Sequence, residues 1–429
     1  MKINKFKDIL LTFKGILRQK KIQNFEKYSL EEIEEYKIKK IKKLLINASR
    51  EISYYRDLFW NIGFDPSTFS KLSDLEQIPL LNKSIVKNNY SNLISGKRTK
   101  GSIQLTTSGT TGERLYIYTS PKQWIIEQAA IWRHWKIAGY KFRDRMVIIR
   151  SYSPKKNENF YSFNKFKNWL YVSPYHLDDT YLEILFKLLQ QWKPKFLRGY
   201  PSSIYLLARY SIKHNLNLDF LKAIFTASEK LTKEYREVIE RAFKVKIFDH
   251  YGQAEITVMF HEWNDHAGLN NLEYYGHVEL VETSKPKIYS IIATNLHNDV
   301  MPLIRYDTGD LVRINDEDKS DTRCNFLNVS EIIGRSHDFL KNADGGLIPS
   351  INFYTYFANI KEIIRFQFVV NGENIDLMLK IDKEARKKDV IEIVTLEMKE
   401  RFRKKINVID TEDFYQNNEG KFSAIVNIA

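Results

Sequence analysis

With 429 residues, 43% of them hydrophobic, the chain exceeds one simple core and suits a large α/β domain with a smaller companion. Its single cysteine, Cys324, excludes an intrachain disulfide framework and a cysteine-built zinc site, and fits a reducing compartment. Lys and Arg outnumber Asp and Glu by 67 to 53, but this +14 is spread along the chain without a nucleic-acid module, so nucleic acid is not an expected partner.

Residues 1–60 read as helical. Residues 2–21 form a basic amphipathic stretch with Phe6, Ile9, Leu10, Phe13, Ile16 and Leu17 on one side. Residues 1–22 could dock on a membrane surface or pack on the protein body, and packing is the ordinary use of such a helix. The apolar run Ile9 to Phe13 is too short for a secretory signal, and Lys14 follows at once. No stretch approaches the ~20 apolar residues that span a bilayer, so a cytoplasmic location is expected. Residues 30–46 carry acids early and lysines late, which suits a helix macrodipole.

From about residue 100, short β-rich runs alternate with longer helical ones. Strands are expected at 115–118, 146–149, 223–227, 246–248 and 288–294. Helices are expected at 121–135, 181–191 and 233–243. This alternation predicts a parallel or mixed α/β core. Beyond Gly334-Arg335, strands at 366–370 and 375–381 and a helix at 390–405 suffice for a small α+β domain. The expected division is a helical region 1–99, a core 100–335 and a small C-terminal domain 336–429.

Five segments carry chemistry. Thr106-Thr107-Ser108-Gly109-Thr110-Thr111-Gly112 follows a strand-like run. Its glycines admit a close ligand and its hydroxyls and N–H groups suit a triphosphate; a polar surface turn is the plain alternative. No Gly-Lys-Ser/Thr follows, so it is not a Walker loop. Asp249-His250-Tyr251-Gly252-Gln253-Ala254-Glu255 puts carboxylates after a strand, as a Mg²⁺ ligand requires, beside an aromatic that can stack on a base. Asp307-Thr308-Gly309-Asp310 offers a carboxylate for two ribose hydroxyls, or a hairpin turn. Gly334-Arg335-Ser336-His337-Asp338 and Asn418-Glu419-Gly420-Lys421 complete the set. A lysine on a glycine turn can reach an active site or simply face solvent.

In this order and spacing the segments resemble the adenylate-forming superfamily, which includes acyl-CoA synthetases, firefly luciferase and non-ribosomal peptide adenylation domains. The chain looks most like the phenylacetate–CoA ligase group, with its CapK-type proteins of capsular polysaccharide gene clusters. Ser53 to Phe59, Leu72 to Leu75, Ile78 to Lys83, Gly199-Tyr200-Pro201-Ser202-Ser203 and Ser228-Glu229-Lys230-Leu231 extend the likeness over roughly residues 40–429. The resemblance implies a large multi-sheet N-terminal domain and a small, mobile α+β C-terminal domain.

The resemblance also implies roles. Thr106 to Gly112 would hold the β- and γ-phosphates, chiefly through Ser108, Thr110 and Thr111. Ser228, Glu229 and Lys230 would border the adenine, and Tyr251, with Gly252 beside it, would stack on it. Glu255 would bind Mg²⁺; Asp310 would hold the ribose, helped by Arg335. Lys421 would bridge substrate carboxylate and α-phosphate, and with Mg²⁺ would offset the charge concentrated in the transition state. The implied cofactors are ATP, Mg²⁺ and, as an acyl acceptor, CoA. The partners are a carboxylic acid and CoA or another acceptor; the oligomeric state is left open, a dimer included. Trp135, Tyr200, Pro201 and Ala227 fall in pocket-forming segments, although core packing equally explains such aromatics.

Two positions depart from the family pattern. Ala254 stands where a hydroxyl residue usually precedes the metal-binding glutamate, which would remove a donor worth about 1–3 kcal/mol. His337 stands at the hinge acid's position, with Asp338 next, so the hinge is displaced or altered. Both departures raise an alternative: a weak or inactive nucleotide-binding relative acting as a partner in a biosynthetic complex.

Overall fold

The computed structural model describes residues 5–96, 101–106, 115–152, 154, 159–264, 266–284, 286–314, 326–333, 339–357, 360, 362–372, 374–415 and 424–428. The chain divides into two units, each built from several stretches.

One unit comprises Met1–Leu105, Tyr116–Tyr140 and Phe248–Gly334. Its N-terminal part is helical, as expected: Lys5–Phe25, Leu30–Glu51 and Ser53–Ile62. Ser29 starts the second helix with a capping box, accepting the Glu32 N–H at 3.2 Å while its own N–H donates to the Glu32 carboxylate at 2.8 Å. Gly63, at φ 66°, ends the third helix in the left-handed conformation. Ile22 and Phe25 of the first helix bury against Ile126, Ala129 and Ala130 of the helix Pro121–Ile137. The helices meet closely at Gly15, where a Cβ would lie 2.8 Å from that of Gln128. Packing on the protein body therefore describes one face of this helix.

This unit's first sheet is antiparallel, in the order Gly276–Glu282, Ile288–Asn295, Tyr306–Arg313, Glu331–Ile333. A further antiparallel run joins Ile247–Gly252, Met259–Glu262, Leu269–Asn271 and Asn328–Val329. The approach to Tyr306 is held from afar. The Tyr55 hydroxyl donates to Pro302 O at 2.8 Å and accepts from Ile304 N–H at 3.1 Å. Buried Arg305 donates to Ile78 O at 2.6 Å and pairs with Glu279 at 2.8 Å.

The other unit comprises Thr106–Leu115, Lys141–Ile247 and Arg335–Ala429. Its core strands run in the order Tyr161–Asn164, Trp169–Val172, Met146–Ile149, Phe196–Gly199, Ala223–Ala227, all parallel except the antiparallel first. Every residue of Met146–Ile149 and Ala223–Ala227 is buried, as a parallel sheet covered on both faces requires. The helices Asp179–Trp192, Pro201–Lys213 and Lys233–Phe243 cover one face, against Val147, Ile149, Leu197 and Ile224. In the same unit the strands expected at 366–370 and 375–381 and the helix expected at 390–405 are present, in a sheet ordered Asn407–Asp410, Asn374–Ile381, Ile363–Asn371, Ile425–Asn427 with the helix Lys387–Phe402. Phe368, Met398 and Phe402 lie in its core, and Phe353 packs against Phe368 and Phe402. Arg401 stacks 3.7 Å from the Tyr175 ring, Asn352 donates to Pro174 O at 2.9 Å, and Arg403 pairs with Asp178 at 2.8 Å. The mixed α/β architecture is the one expected. Among the described residues no helix is long and apolar enough to cross a membrane.

Candidate active site

The first group of candidate residues lies in the unit that contains residues 248–334. Tyr251 and Gly252 end the strand Ile247–Gly252, where Tyr251 pairs with Phe260 and Gly252 with Met259. The loop between these strands carries Ala254 and Glu255. Asp310 lies in the strand Tyr306–Arg313, not in a hairpin turn. Asp307 pairs with Ile292 and Leu311 with Ser290, so the strand bulges between them. Gly309, at φ 71°, makes the bulge sterically cheap. Thr308 pins it by donating to Ile291 O at 2.9 Å and accepting the Asp310 N–H at 3.1 Å.

This bulge brings distant residues together. The Tyr251 hydroxyl donates to the Asp310 carboxylate at 2.6 Å. The Tyr306 hydroxyl donates to Glu255 at 3.3 Å. Burial raises the Glu255 pKa; Lys83 lowers it, while the like charge of Asp310 adds to the rise. Burial also holds Tyr251 well above the usual phenol range, reinforced by the adjacent Asp310 charge. Tyr251 therefore stays protonated and donates. Two neighbouring carboxylates offset only in part by Lys83 make a site that favours added positive charge.

Among the described residues, no group of three or more His, Cys, Asp or Glu side chains is arranged to hold a metal ion. Mg²⁺ commonly takes one or two carboxylates and fills its remaining positions with phosphate oxygens and water. Glu255 fits that use as a hard oxygen donor.

The second group belongs to the other unit. Ala227 ends the strand Ala223–Ala227, and Ser228 turns the chain with φ 73°, a strained value for a residue with a Cβ. The Ser228 hydroxyl accepts from Arg150 at 3.2 Å. Arg150 lies 5.4 Å from the Tyr200 ring, whose hydroxyl is 3.2 Å from Ser151 Oγ. The Glu229 carboxylate accepts from both the N–H and the hydroxyl of Ser202, each at 2.9 Å. It therefore caps the helix Pro201–Lys213, whose first residue is Pro201. Burial nonetheless pushes Glu229 up to about 7 against the pull of Ser202 and Arg150. Lys230 follows, half-buried.

Two further candidates have plain structural settings. Thr106 ends the strand Ile103–Thr106. Trp135 is 2% exposed, with Trp132 at 5.1 Å and Tyr140 at 5.5 Å between ring centroids, so its surroundings are those of packed aromatic core. Thr107, Ser108, Gly109, Thr110, Thr111, Gly112, Arg335, His337, Asp338 and Lys421 lie outside the described residues.

Sequence reasoning did not single out four participants: Tyr306, Lys83, Arg150 and Ser202. A signal was available for each. Tyr306 stands inside the motif that ends at Asp310, Lys83 closes the stretch that begins at Ile78, and Arg150 follows a buried strand. Ser202 follows a proline, where a helix often begins.

No protein-family model matches the chain. Protein CapK of Staphylococcus aureus is 27% identical over 419 residues, covering 92% of this chain and 91% of that protein. The phenylacetate-coenzyme A ligase of Thermus thermophilus is 23% identical over 359 residues, 78% of this chain and 77% of its own. That of Escherichia coli is 22% identical over 368 residues, 81% and 79% respectively. Among solved structures, 2-hydroxyisobutyryl-CoA ligase in complex with 2-HIB-AMP and CoA superposes with a TM-score of 0.58 at 17% identity, over 93% of this chain and 90% of that one. At such identity the superposition speaks for the fold.

Proposed function

The chain is a CapK-like member of the adenylate-forming superfamily and an AMP-forming acid ligase by kind, and from that premise we propose that it condenses a carboxylic acid with ATP to an acyl-adenylate and passes the acyl group to an acceptor. The observation that carries the site assignment is the Tyr251–Asp310 hydrogen bond beside the Tyr306–Glu255 pair, which gathers residues up to 59 positions apart into one acidic, phenol-lined cluster.

In the reaction, a carboxylate oxygen attacks the α-phosphorus and the bond to the pyrophosphate oxygen breaks. Asp310 accepts hydrogen bonds from the ribose hydroxyls and is held in place by Tyr251. The 106–112 loop donates to the β- and γ-phosphates, and Ser228 to Lys230 border the base with Arg335 near the ribose. Lys421 approaches both anionic reactants and lowers their mutual repulsion. Glu255 would hold Mg²⁺, which supplies charge neutralisation at the phosphates. An acceptor nucleophile then attacks the acyl carbon and AMP leaves. CoA is the acceptor that the ligase relatives suggest; a carrier thiol or a sugar amine suits a polysaccharide setting, for which the likeness to CapK is the support. A reaction that consumes ATP is in keeping with a cytoplasmic setting.

The test is purified protein with ATP, Mg²⁺ and a broad panel of carboxylic acids, amino acids included. Acid-dependent pyrophosphate release is expected. Lys421→Ala should reduce it by about 10²–10³-fold, in line with loss of a transition-state charge contact, while ATP still binds. Absence of acid-dependent release across the panel would sink the proposal. Ala254 motivates a second reading, an inactive nucleotide-binding partner in a biosynthetic complex. Unchanged pathway product in cells carrying Lys421→Ala, with ATP binding intact, would favour it.

A further inference from the structure

The helix Lys5–Phe25 buries one apolar face and leaves apolar side chains of a second exposed. Leu11, Gly15 and Ile22 lie on the buried face, toward the helix Pro121–Ile137. Leu10, Phe13 and Leu17 are 44%, 43% and 71% exposed. Their spacing of three and then four residues places them on one stripe of the opposite side. Lys14 and Lys21 continue the rows that begin at Leu10 and Leu17, and Lys20 borders Phe13 one helical repeat on; all three lysines are exposed. From residue 9 to residue 25 there is no Asp or Glu.

We propose that this stripe docks the protein on an anionic lipid surface. The inference stands apart from the adenylation reading, because it uses only this helix. A three-residue apolar ridge edged by lysines specifies charge sign and apolarity and little else, which is sufficient for a fluid, negatively charged bilayer interface. A second copy of the chain fits poorly. An isologous contact would set lysine-edged stripes against each other in a protein of net charge +14. The packed face keeps the helix folded and oriented before it meets lipid, so binding need not pay for its ordering.

The experiment is co-sedimentation of the full chain with vesicles of phosphatidylglycerol and phosphatidylcholine in equal parts, and with phosphatidylcholine alone. The wild-type protein should pellet with the anionic vesicles at low salt, weaken as salt is added, and stay in solution with the neutral ones. Leu10→Asn/Leu17→Asn leaves the charge unchanged and should weaken binding about tenfold or more. Leu17→Asn alone, the milder change, should move it in the same direction. Lys14→Gln/Lys20→Gln/Lys21→Gln should weaken it to a similar degree. Two results would overturn the proposal: a wild-type protein that does not pellet with anionic vesicles, or an Asn double variant that binds as tightly as wild type, which would mean that net charge alone is responsible. Concentration-dependent dimerisation lost in the Asn variant, without vesicle binding, would overturn it in favour of a second copy.

Discussion

Glu229 accepts two hydrogen bonds from the start of a helix and still titrates near neutrality, up to about 7. Burial disfavours the charged form by more than Ser202 and Arg150 recover. Because the folded value lies above the ordinary 4.5, the folded state holds this proton more tightly than the unfolded chain. Its contribution to stability is full below about pH 4.5 and is lost as pH rises through about 7. Glu229→Gln removes that dependence and can keep the cap: the amide oxygen accepts the Ser202 N–H, and the amide nitrogen donates to a reversed Ser202 hydroxyl. At pH 8 the variant should therefore be more stable than wild type by about 1–2 kcal/mol, allowing for solvent screening of a half-buried group. Near pH 4 the two should coincide. Urea unfolding at both values decides it, and equal stability at pH 8 would show that the wild-type carboxylate is not strained. Tyr251→Phe probes the other group. It removes the 2.6 Å donor that holds Asp310. If Asp310 holds the ribose, ATP affinity should fall about tenfold, equivalent to about 1.4 kcal/mol, with thermal stability little changed. Calorimetric titration with ATP reads the effect directly, and unaltered affinity would count against the ribose role.

At the level of elements, the loop that carries Glu255 is set by a glycine on a neighbouring strand. A Cβ on Gly276 would stand 1.9 Å from the carbonyl oxygen of Thr257, two residues beyond Glu255. Backbone cannot yield as a flexible side chain does, so Gly276→Ala should cost about 3 kcal/mol or more, at or above the usual range for overpacking. Any folded fraction should show weakened acid-dependent pyrophosphate release, because the loop must shift. A variant with wild-type unfolding and wild-type release would mean that the close approach has no role in placing Glu255. Some elements could be read directly from the chain. The helix Lys233–Phe243 has the expected bounds because Thr232 caps it and its apolar residues recur at helical spacing. The strands Met146–Ile149 and Ala223–Ala227 also have them, since each is a short buried run. Others were hidden. No element was expected at 201–213, yet Pro201 is the first residue of a 13-residue helix, where its missing N–H costs nothing. The bulge that presents Asp310 looks like a hairpin until its register with Ile288–Asn295 is known. The roles of Tyr55 and Arg305 depend on partners 247 and 227 positions away. The acidic cluster was legible as a set of residue types in order; which side chain donates to which was not, because long-range packing decides that.

Across the whole molecule, the buried histidines set the response to acid. Burial depresses His176 to about 4, and His277 and His297 to about 3, with Arg401, Lys37 and Lys40 respectively among the cations that add to the effect. His261 is held well below the usual range by burial and by His134 and His250, whose rings lie 4.6 and 6.1 Å from its own. In the unfolded chain these imidazoles titrate near 6.5. Below that pH the unfolded state binds more protons than the folded one, so stability falls as pH falls. By pH 5 the penalty reaches up to about 2 kcal/mol for each imidazole, against a total stability of about 5–15 kcal/mol for a typical domain. Glu229 runs the opposite way, as do Glu26, Glu255 and Glu279, whose carboxyls burial also raises; in the unfolded chain these titrate near 4.5, at the acid edge of this range, whereas the imidazoles titrate within it. The urea midpoint should therefore drop between about pH 7 and pH 5, followed by tryptophan fluorescence. His277 isolates one share of the effect. It is 6% exposed, and neither ring nitrogen has a hydrogen-bond partner among the described residues, so His277→Leu gives up little at pH 7. The variant should lose less stability than wild type on going to pH 5, by about one imidazole's share. A midpoint that holds constant or rises on acidification would show that these rings protonate within the fold, and that the burial deduced for them does not control the pH response.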